Sequence, residues 1–250
     1  MTCLEEYFEK NPDVALAFSG GTDSAYLLYA AMKYAKRVRA YYVKTAFQPA
    51  FELNDALRLG RELGADLRVL CLDVLKDERI SANPPERCYY CKRRLFEAIA
   101  EKARGDGSVR LIDGTNASDE VCDRPGMRAL EELGFESPLR LCGFSKADVR
   151  ELSREAGLFT WDKPAYACLA TRIPAGRPIE RRLLRRTEAA EEHMAGLGFS
   201  GFRIRNSGET AKLELTEKDL PLFEQKRNEL YSMLREYYED IAGPELRYEH

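Results

Sequence analysis

The sequence predicts an α/β fold with a Rossmann-like parallel sheet and a small C-terminal α+β domain. Three observations predict it. Short apolar segments alternate with helical periodicity as far as about residue 157, a pattern typical of parallel strands covered by helices. A glycine-rich turn follows the first apolar segment, and the Pro/Gly-rich stretch 162–179 ends the alternation. We therefore predict a first domain over residues 1–172 and a C-terminal domain over residues 173–250.

Hydrophobic period and chain-breaking residues assign the elements in order. In the first domain the predicted strands are 13–18, 37–46, 65–75 and 108–119, and the predicted helices are 22–35, 51–63, 92–103, 125–133 and 145–157. Ser145 and Gly157 are predicted as the N-cap and C-cap of the last helix. The C-terminal domain has the predicted order helix 179–197, strand 202–205, strand 211–215 and helix 216–238.

The composition is that of an ordinary globular protein. A hydrophobic content of 44%, a charged content of 32% and a net charge of −3 do not indicate a polybasic chain, so we do not expect nucleic acid as a partner. The N-terminus has no leader-like pattern and no apolar run reaches roughly 18 residues, so we expect a cytoplasmic protein without a membrane partner. Because disulfides are rare in a reducing compartment, the seven cysteines are interpreted as thiols or metal ligands.

The glycine-rich turn Ser19–Ser24, SGGTDS, lies at the predicted start of a helix. Unpaired backbone N–H groups and the helix dipole attract anions there, and glycines allow a phosphate to approach the backbone. Because no lysine follows as in the motif G-x-x-x-x-G-K-[ST], transfer of a γ-phosphate is not indicated. A simple capping turn is the alternative. The hexapeptide resembles the PP-loop, S-G-G-x-D-S, of the ATP pyrophosphatase superfamily, which holds the β,γ-pyrophosphate of ATP.

The cysteines suggest a metal site. Cys88 and Cys91 have the i, i+3 spacing that directs two thiols to one centre, and Cys168 lies in the Pro/Gly-rich stretch. With only two histidines in the chain, three thiolates suit a [4Fe–4S] cluster with one open iron better than a closed zinc site. A zinc site completed by Cys122 is the alternative. The remaining cysteines are expected to be buried thiols: Cys3, Cys71 and Cys142.

Several segments together resemble the LarE family, the sulfur transferases of nickel-pincer cofactor biosynthesis. They are SGGTDS, NPPERCYYCKRRLF, DGTNASDEVCDRPGMRALEELG, SPLR, SKADVRELSREAGLFTWDKPAYACLATRIP and FRIRNSGETAKLEL. The resemblance covers about residues 14–215, and the block from Trp161 to Pro174 is its most specific part. It implies adenylylation by ATP of a carboxylate of pyridinium-3,5-biscarboxylic acid mononucleotide, followed by replacement of AMP with sulfur.

The family has two branches that differ in the source of sulfur. In one branch the cysteine that matches Cys168 gives up its own sulfur, and in the other three cysteines hold a [4Fe–4S] cluster whose open iron carries sulfide. The CxxC pair together with Cys168 fits the second branch. The resemblance thus implies ATP, Mg²⁺ and a [4Fe–4S] cluster on Cys88, Cys91 and Cys168. It also implies a small-molecule substrate, a sulfide source and a homo-oligomer.

The resemblance assigns roles to further residues. Nucleotide contacts would come from Ser19, Gly20, Gly21, Asp23, Ser24, Gly114 and Thr115. Magnesium or phosphate contacts, with a solvated face as the alternative, would come from Asp119, Asp123 and Arg124. Cys168 would be catalytic together with Arg172, which would bind a substrate anion. Arg203 and Arg205 would bind substrate carboxylate or phosphate, and ordinary surface charge is the alternative for both.

The sequence departs from the family in the segment YYVKTAFQP, which is less acidic than expected, and after the last predicted helix, where relatives add a strand. Other functions stay open. A PP-loop enzyme of tRNA thiolation would need a basic surface for many phosphates. An amide-forming or zinc-dependent nitrile-forming PP-loop enzyme would contain zinc or no metal. A nucleotide-sensing or metal-storage module would bind ATP without releasing pyrophosphate.

Overall fold

The structure of the protein is a computed structural model that describes residues 2–108, 110–119 and 125–247. The chain divides into two compact units. The first unit combines Met1–Val74 with Glu86–Tyr166, and the second combines Leu75–Pro85 with Ala167–His250. The domain border that we propose from the sequence, after residue 172, therefore lies inside the second unit.

The first unit contains a parallel sheet, which confirms the predicted α/β class. Its strands in the described part of the chain are β1 (Asp13–Ala17), β2 (Arg37–Lys44), β3 (Asp66–Cys71) and β4 (Arg110–Asp113). Their order is β3-β2-β1-β4, and all neighbours are parallel. Because the chain leaves β1 toward β2 on one side and meets β4 on the other, the carboxyl end of β1 is a topological switch point, where open α/β sheets bind ligands.

Helices cover both faces of this sheet. The described helices of the chain are α1 (Cys3–Lys10), α2 (Thr22–Tyr34), α3 (Ala50–Glu62), α4 (Glu78–Ser81), α5 (Arg87–Gly105), α6 (Pro125–Glu132), α7 (Pro138–Leu141), α8 (Lys146–Glu155), α9 (Arg181–Gly196) and α10 (Leu220–Leu234). Val14 and Leu16 of β1 pack on the face covered by α1, α2, α3 and α8, whereas Ala15 packs on the face covered by α5 and α6. This alternation follows the two-residue period of a strand, and apolar side chains on both faces are typical of a buried parallel strand.

The N-terminus forms a helix, so the expectation that it frays is wrong. Thr2 and Glu5 form a capping box at the start of α1, with Glu5 N donating to Thr2 Oγ1 over 3.3 Å. Leu4 and Phe8 bury their side chains in the core of the first unit. A reciprocal cap and two buried apolar residues together stabilise this short helix.

The expectation that three cysteines are buried thiols is also wrong. Cys3 and Cys142 form a disulfide with Cα atoms 5.7 Å apart, and Cys71 is exposed at the end of β3. The two bonded residues are 139 positions apart in the chain. Pairing over such a distance depends on how α1 packs in the first unit, which spacing in the sequence does not reveal.

The second unit is a small α+β unit. Its sheet has the order β5-β6-β7, from strands Phe202–Ser207, Thr210–Leu215 and Asp240–Leu246. β5 and β6 form an antiparallel hairpin, and β7 runs parallel to β6. The expected absence of a strand after the last helix is thus corrected: β7 contains Gly243 and Pro244, which argue against a strand when read locally. Across the described residues, no helix is both long and apolar enough to span a membrane.

We predict that the disulfide stabilises the first unit. Cys3→Ser should lower the free energy of unfolding by about 2–4 kcal/mol, because a cross-link restricts the unfolded chain. Guanidinium denaturation without and with reductant measures the effect, and the reduced wild type should match the variant. Cys71→Ser, which removes an exposed thiol, is the matched control and should unfold like the wild type. Equal stability of Cys3→Ser and oxidised wild type would refute the prediction.

Candidate functional site

The turn between β1 and α2, here called the PP-loop (Ser19–Ser24), has the shape of an anion-binding loop. Gly20 has φ +76°, a conformation that favours glycine, and a Cβ atom there would lie 3.3 Å from Ala56 Cβ. Gly21 is the N-cap residue of α2 and has no side chain that could accept the first N–H groups of the helix. These N–H groups and the positive end of the helix dipole are therefore directed at the space where an anion would bind.

Two serines close the PP-loop on itself. Ser24 Oγ lies 3.0 Å from Ser19 Oγ and accepts from Ser19 N over 3.3 Å. The same hydroxyl donates to Gly21 O over 3.1 Å. The first and last residues of the motif thus fix the loop before any ligand binds, which lowers the entropic cost of binding.

Asp23 supplies a carboxylate at the first turn of α2. Its Oδ2 atom lies 2.6 Å from Lys146 Nζ at the start of α8. Its Oδ1 atom is buried and has no hydrogen-bond partner within the part of the chain that the structure describes. A carboxylate oxygen in need of a partner is the kind of ligand that Mg²⁺ binds, so Asp23 fits the predicted metal ion.

The exit of β4 lies directly against the PP-loop. A Cβ atom on Gly114 would lie 2.8 Å from Ser24 N and 2.9 Å from Ser24 Cα, so only glycine fits there. Thr115 donates its hydroxyl to Asp113 Oδ2 over 2.5 Å. β1 and β4 are adjacent parallel strands, and their exits therefore meet at one edge of the sheet.

Asp113 is a buried carboxyl at this edge. Burial raises its pKa, and hydrogen bonds from Ser137 and Thr115 oppose that shift. The positive charge of Lys92 also stabilises the carboxylate. Lys92 belongs to the N-terminal part of α5, so this part of the helix lies within electrostatic reach of the exit of β4.

Both cysteines of the CxxC pair lie inside α5. The predicted helix begins at residue 92, but the observed helix begins at Arg87, so Cys88 and Cys91 occupy its first turns and share one face. Cys88 is exposed, Cys91 is half-buried, and neither is in a disulfide. Arg87 is buried, and its Nη2 atom lies 3.5 Å from Cys88 Sγ. A guanidinium beside a sulfur stabilises a thiolate, the form that ligates iron.

In the second unit, Cys168 is the N-cap residue of a 3-10 turn, Leu169–Arg172. The thiol is half-buried and not in a disulfide. Thr171 donates to Cys168 O from its backbone N over 2.9 Å and from its hydroxyl over 2.8 Å. The backbone at Cys168 is therefore held in a defined conformation.

Arg172 is buried below this turn. Its Nε and Nη2 atoms bind the two carboxylate oxygens of Glu191 at 2.7 and 3.1 Å, and Nη1 donates to Ala167 O over 3.0 Å. Its side chain is only 2% exposed. A bidentate pair of this kind fixes the residues on either side of Cys168. In this structure Arg172 is therefore a positioning residue for the cysteine, and its contact with substrate stays a proposal.

Two further arginines lie on β5. Arg205 donates to Thr171 O over 2.6 Å and to Glu214 Oε1 over 3.0 Å, so it also supports the turn of Cys168. Arg203 forms no hydrogen bond or ion pair with any residue that the structure describes. Burial lowers the pKa of the Arg203 guanidinium, and repulsion from nearby arginines adds to this shift.

Some predicted residues are not brought into the site. Cys122, Asp123 and Arg124 lie outside the described residues. Asp119 accepts a hydrogen bond from Asn116 N over 3.1 Å, within the exit of β4. Over residues 2–108, 110–119 and 125–247, no group of three or more His, Cys, Asp or Glu side chains is arranged to hold one metal ion. The ligand set for a cluster therefore stays a proposal.

Comparison with known proteins assigns the family. The chain is 35% identical to the pyridinium-3,5-bisthiocarboxylic acid mononucleotide synthase of Lactiplantibacillus plantarum over 206 residues, which cover 82% of the chain and 75% of that protein. The chain belongs to the LarE family. It is also 30% identical to an uncharacterized protein of Methanocaldococcus jannaschii, over 94% of the chain and 89% of that protein.

More distant similarity extends to the PP-loop superfamily. The LarE-family chain is 21% identical to the tRNA-specific 2-thiouridylase MnmA of Thermotoga maritima, over 58% of the chain and 52% of that protein. No family model matches the chain. The shared part is thus about half of the thiouridylase, and the resemblance to LarE extends over far more of the chain.

Sequence reasoning missed two lysines of this LarE-family site, Lys146 and Lys163. Lys146 binds Asp23, as described above, and Lys163 Nζ lies 2.6 Å from Asp55 Oδ2 and 3.4 Å from Gly20 O. Lys146 directly follows the N-cap Ser145, which is confirmed with its capping box. The position after a cap was the available signal, but a lysine there is usually solvated.

We predict that Gly114→Ala disrupts the nucleotide site. The added methyl group would clash with the backbone of α2, so we expect a loss of about 1–3 kcal/mol in stability and at least a tenfold loss of ATP affinity. Calorimetry and chemical denaturation measure the two effects. Gly105→Ala is the matched control, since a Cβ atom there meets nothing within 4 Å, and it should bind ATP normally. Normal ATP binding by Gly114→Ala would contradict the predicted contact.

We also predict that the Arg172–Glu191 pair is structural in the second unit. Glu191→Gln should destabilise the protein by about 3–5 kcal/mol, because it leaves a buried guanidinium without its charge partner. Glu180→Gln removes the partner of exposed Arg182 and should cost less than about 1 kcal/mol. Urea denaturation of both variants compares the two pairs. Equal effects would show that the buried pair contributes no more than a surface pair.

Proposed function

We propose that this protein is an ATP-dependent sulfur transferase of nickel-pincer cofactor biosynthesis. Membership of the LarE family supports sulfur transfer in this pathway, since the relative from Lactiplantibacillus plantarum is named for the bisthiocarboxylic acid mononucleotide that it makes. The substrate is pyridinium-3,5-biscarboxylic acid mononucleotide. ATP adenylylates one carboxylate, and sulfur held by a [4Fe–4S] cluster then replaces AMP.

One observation carries the proposal: the PP-loop and the CxxC pair both belong to the carboxyl edge of the sheet in the first unit. α5 leads into β4 and runs against its direction, so the first turns of α5 lie at the end where β4 exits. The electrostatic contact between Lys92 and Asp113 supports this arrangement. An activating nucleotide and a sulfur-carrying metal centre must be neighbours if sulfur is to attack an acyl adenylate.

The first step forms a bond between a carboxylate oxygen of the substrate and the α-phosphorus of ATP, and pyrophosphate leaves. The N–H groups of the PP-loop at the start of α2 bind the negative charge that develops on the leaving group. Asp23 would hold Mg²⁺, which neutralises further charge. In the second step a hydrosulfide sulfur attacks the acyl carbon, AMP leaves with the bonding electron pair, and a thiocarboxylate and one proton remain.

The thiol donors fit an iron–sulfur cluster. Three thiolates are the donor set that a [4Fe–4S] cluster with one open iron uses, and the thiols of Cys88, Cys91 and Cys168 would hold it. When bound, the cluster supplies sulfide on its open iron. Arg87 would donate a hydrogen bond to the sulfur of Cys88, and Arg172 and Arg205 would keep the turn of Cys168 in place.

Two alternatives differ in measurable ways. If Cys168 gives up its own sulfur, each molecule acts once and its mass falls by one sulfur atom. If the substrate is tRNA, as for MnmA, the protein should bind tRNA in a strongly salt-dependent manner. The net charge of −3 does not favour a tRNA substrate.

We predict about four irons and an equal amount of sulfide per chain in protein prepared without oxygen. Cys88→Ala, Cys91→Ala and Cys168→Ala should each abolish the cluster, since each removes one of three ligands. Iron and sulfide analysis with electron paramagnetic resonance measures this. Cys71→Ala is the control and should keep the cluster. Full cluster retention in any of the three variants would refute the ligand set.

Turnover distinguishes the routes. With the pyridinium substrate, ATP and sulfide, the wild type should form AMP, pyrophosphate and thiocarboxylate repeatedly at constant protein mass. Loss of one sulfur from the protein would support the sacrificial route, and product only with tRNA would support thiolation of RNA. AMP and pyrophosphate are quantified by chromatography, and the protein by intact mass spectrometry.

A further inference from the structure

The PP-loop contains no lysine or arginine of its own, although the triphosphate that it is to bind carries several negative charges. Two lysines from outside the loop lie against it in the first unit. We propose that Lys146 and Lys163 bind the phosphates of ATP and serve the purpose of the missing loop lysine. This inference rests on the proposed function for the identity of the nucleotide, but its test does not depend on sulfur transfer.

Lys163 lies beside the glycine turn. Its ammonium group is 3.4 Å from the carbonyl oxygen of Gly20 and 2.6 Å from Asp55 Oδ2 on α3. The same group lies 5.7 Å from the ring centre of Phe51. The side chain is only 15% exposed, so its charge is directed along the loop and is less screened by solvent than a surface charge.

The backbone around Lys163 is fixed to α2 and α8. Arg150 of α8 donates to Lys163 O over 3.1 Å and to Trp161 O over 3.2 Å. Thr22, within the PP-loop, donates its hydroxyl to Thr160 O over 2.8 Å. The segment 160–163 is thus tied to the loop, and Lys163 is positioned for a ligand of the loop before the ligand arrives.

Lys146 approaches the opposite end of the loop. Its ammonium group binds Asp23 Oδ2 over 2.6 Å, and its backbone N donates to Ser118 Oγ over 3.0 Å. Asp23 keeps its second oxygen buried and without a hydrogen bond among the described residues. A carboxylate in this condition gains from a metal ion, and metal binding would allow Lys146 to turn to the phosphates.

A purely structural role is the competing explanation. Lys163 would then serve only to bind Asp55 and hold its segment on α3. The two explanations differ for Asp55→Asn. If Lys163 is only a structural partner, Asp55→Asn should impair the site as much as Lys163→Met. If Lys163 binds phosphate, Asp55→Asn leaves its charge at the loop, and affinity for phosphates should be unchanged or higher.

The experiment measures binding of ATP, tripolyphosphate and adenosine to the purified full-length chain. Trp161 is the single tryptophan, it lies two residues before Lys163, and its fluorescence reports binding; calorimetry provides an independent value. We expect Lys146→Met and Lys163→Met each to weaken ATP and tripolyphosphate at least tenfold and adenosine less than twofold. Lys163→Arg should retain most of the affinity. Lys33→Met, at the far end of α2, is the matched control and should bind all three like the wild type.

The outcomes separate this inference from the proposed function. Wild-type affinity in both lysine variants would overturn the inference, and so would an equal loss in Asp55→Asn and Lys163→Met. If the lysines are required for ATP binding but no thiocarboxylate forms, the proposed function fails and the inference stands. A wild type that binds neither ATP nor tripolyphosphate would overturn both. Denaturation midpoints of all variants show whether a loss of binding reflects unfolding.

Discussion

The central position of β1 is the constraint on which the site depends. β1 pairs in parallel with β2 on one side and β4 on the other, so the chain must exit both β1 and β4 at the same edge. The two exits are so close that Gly114 has no room for a Cβ atom beside Ser24. The start of α5 reaches the same edge because α5 runs against β4. A nucleotide loop and a pair of thiols thus result from one pattern of strand pairing.

Features with a local signal were predicted from the sequence. The strand, glycine turn and helix around Gly20 and the capping box of Ser145 depend on residues within a few positions of each other. Features that depend on distant contacts were not predicted. α1 is stabilised by Leu4 and Phe8 against a core that folds from elsewhere, and the edge strand β7 contains Gly243 and Pro244. The disulfide of Cys3 joins residues at opposite ends of the first unit's sequence.

The candidate site shows the same division between residue type and partner. The sequence indicated that Arg172 stands in a specific motif, but not that Glu191 is its partner. The carboxylate converts an expected anion-binding residue into a buried support for the turn of Cys168. The reverse applies to Lys163, whose sequence position suggests an ordinary charged residue and whose ammonium group lies at the PP-loop. In both cases the partner on another element decides the role, and one sequence does not contain that information.

Charge balance at the PP-loop relates these observations to each other. A lysine inside the loop would be fixed to it, whereas Lys146 and Lys163 come from α8 and from the segment after it. In the absence of nucleotide, each ammonium group is balanced by an aspartate at 2.6 Å, which reduces the cost of holding a cation beside a helix N-terminus. Phosphates that compete for these lysines must therefore act on the segment that bears Lys163. That segment continues within five residues to Cys168, so the chain joins the groups that bind ATP directly to the thiol proposed to hold the sulfur-carrying cluster.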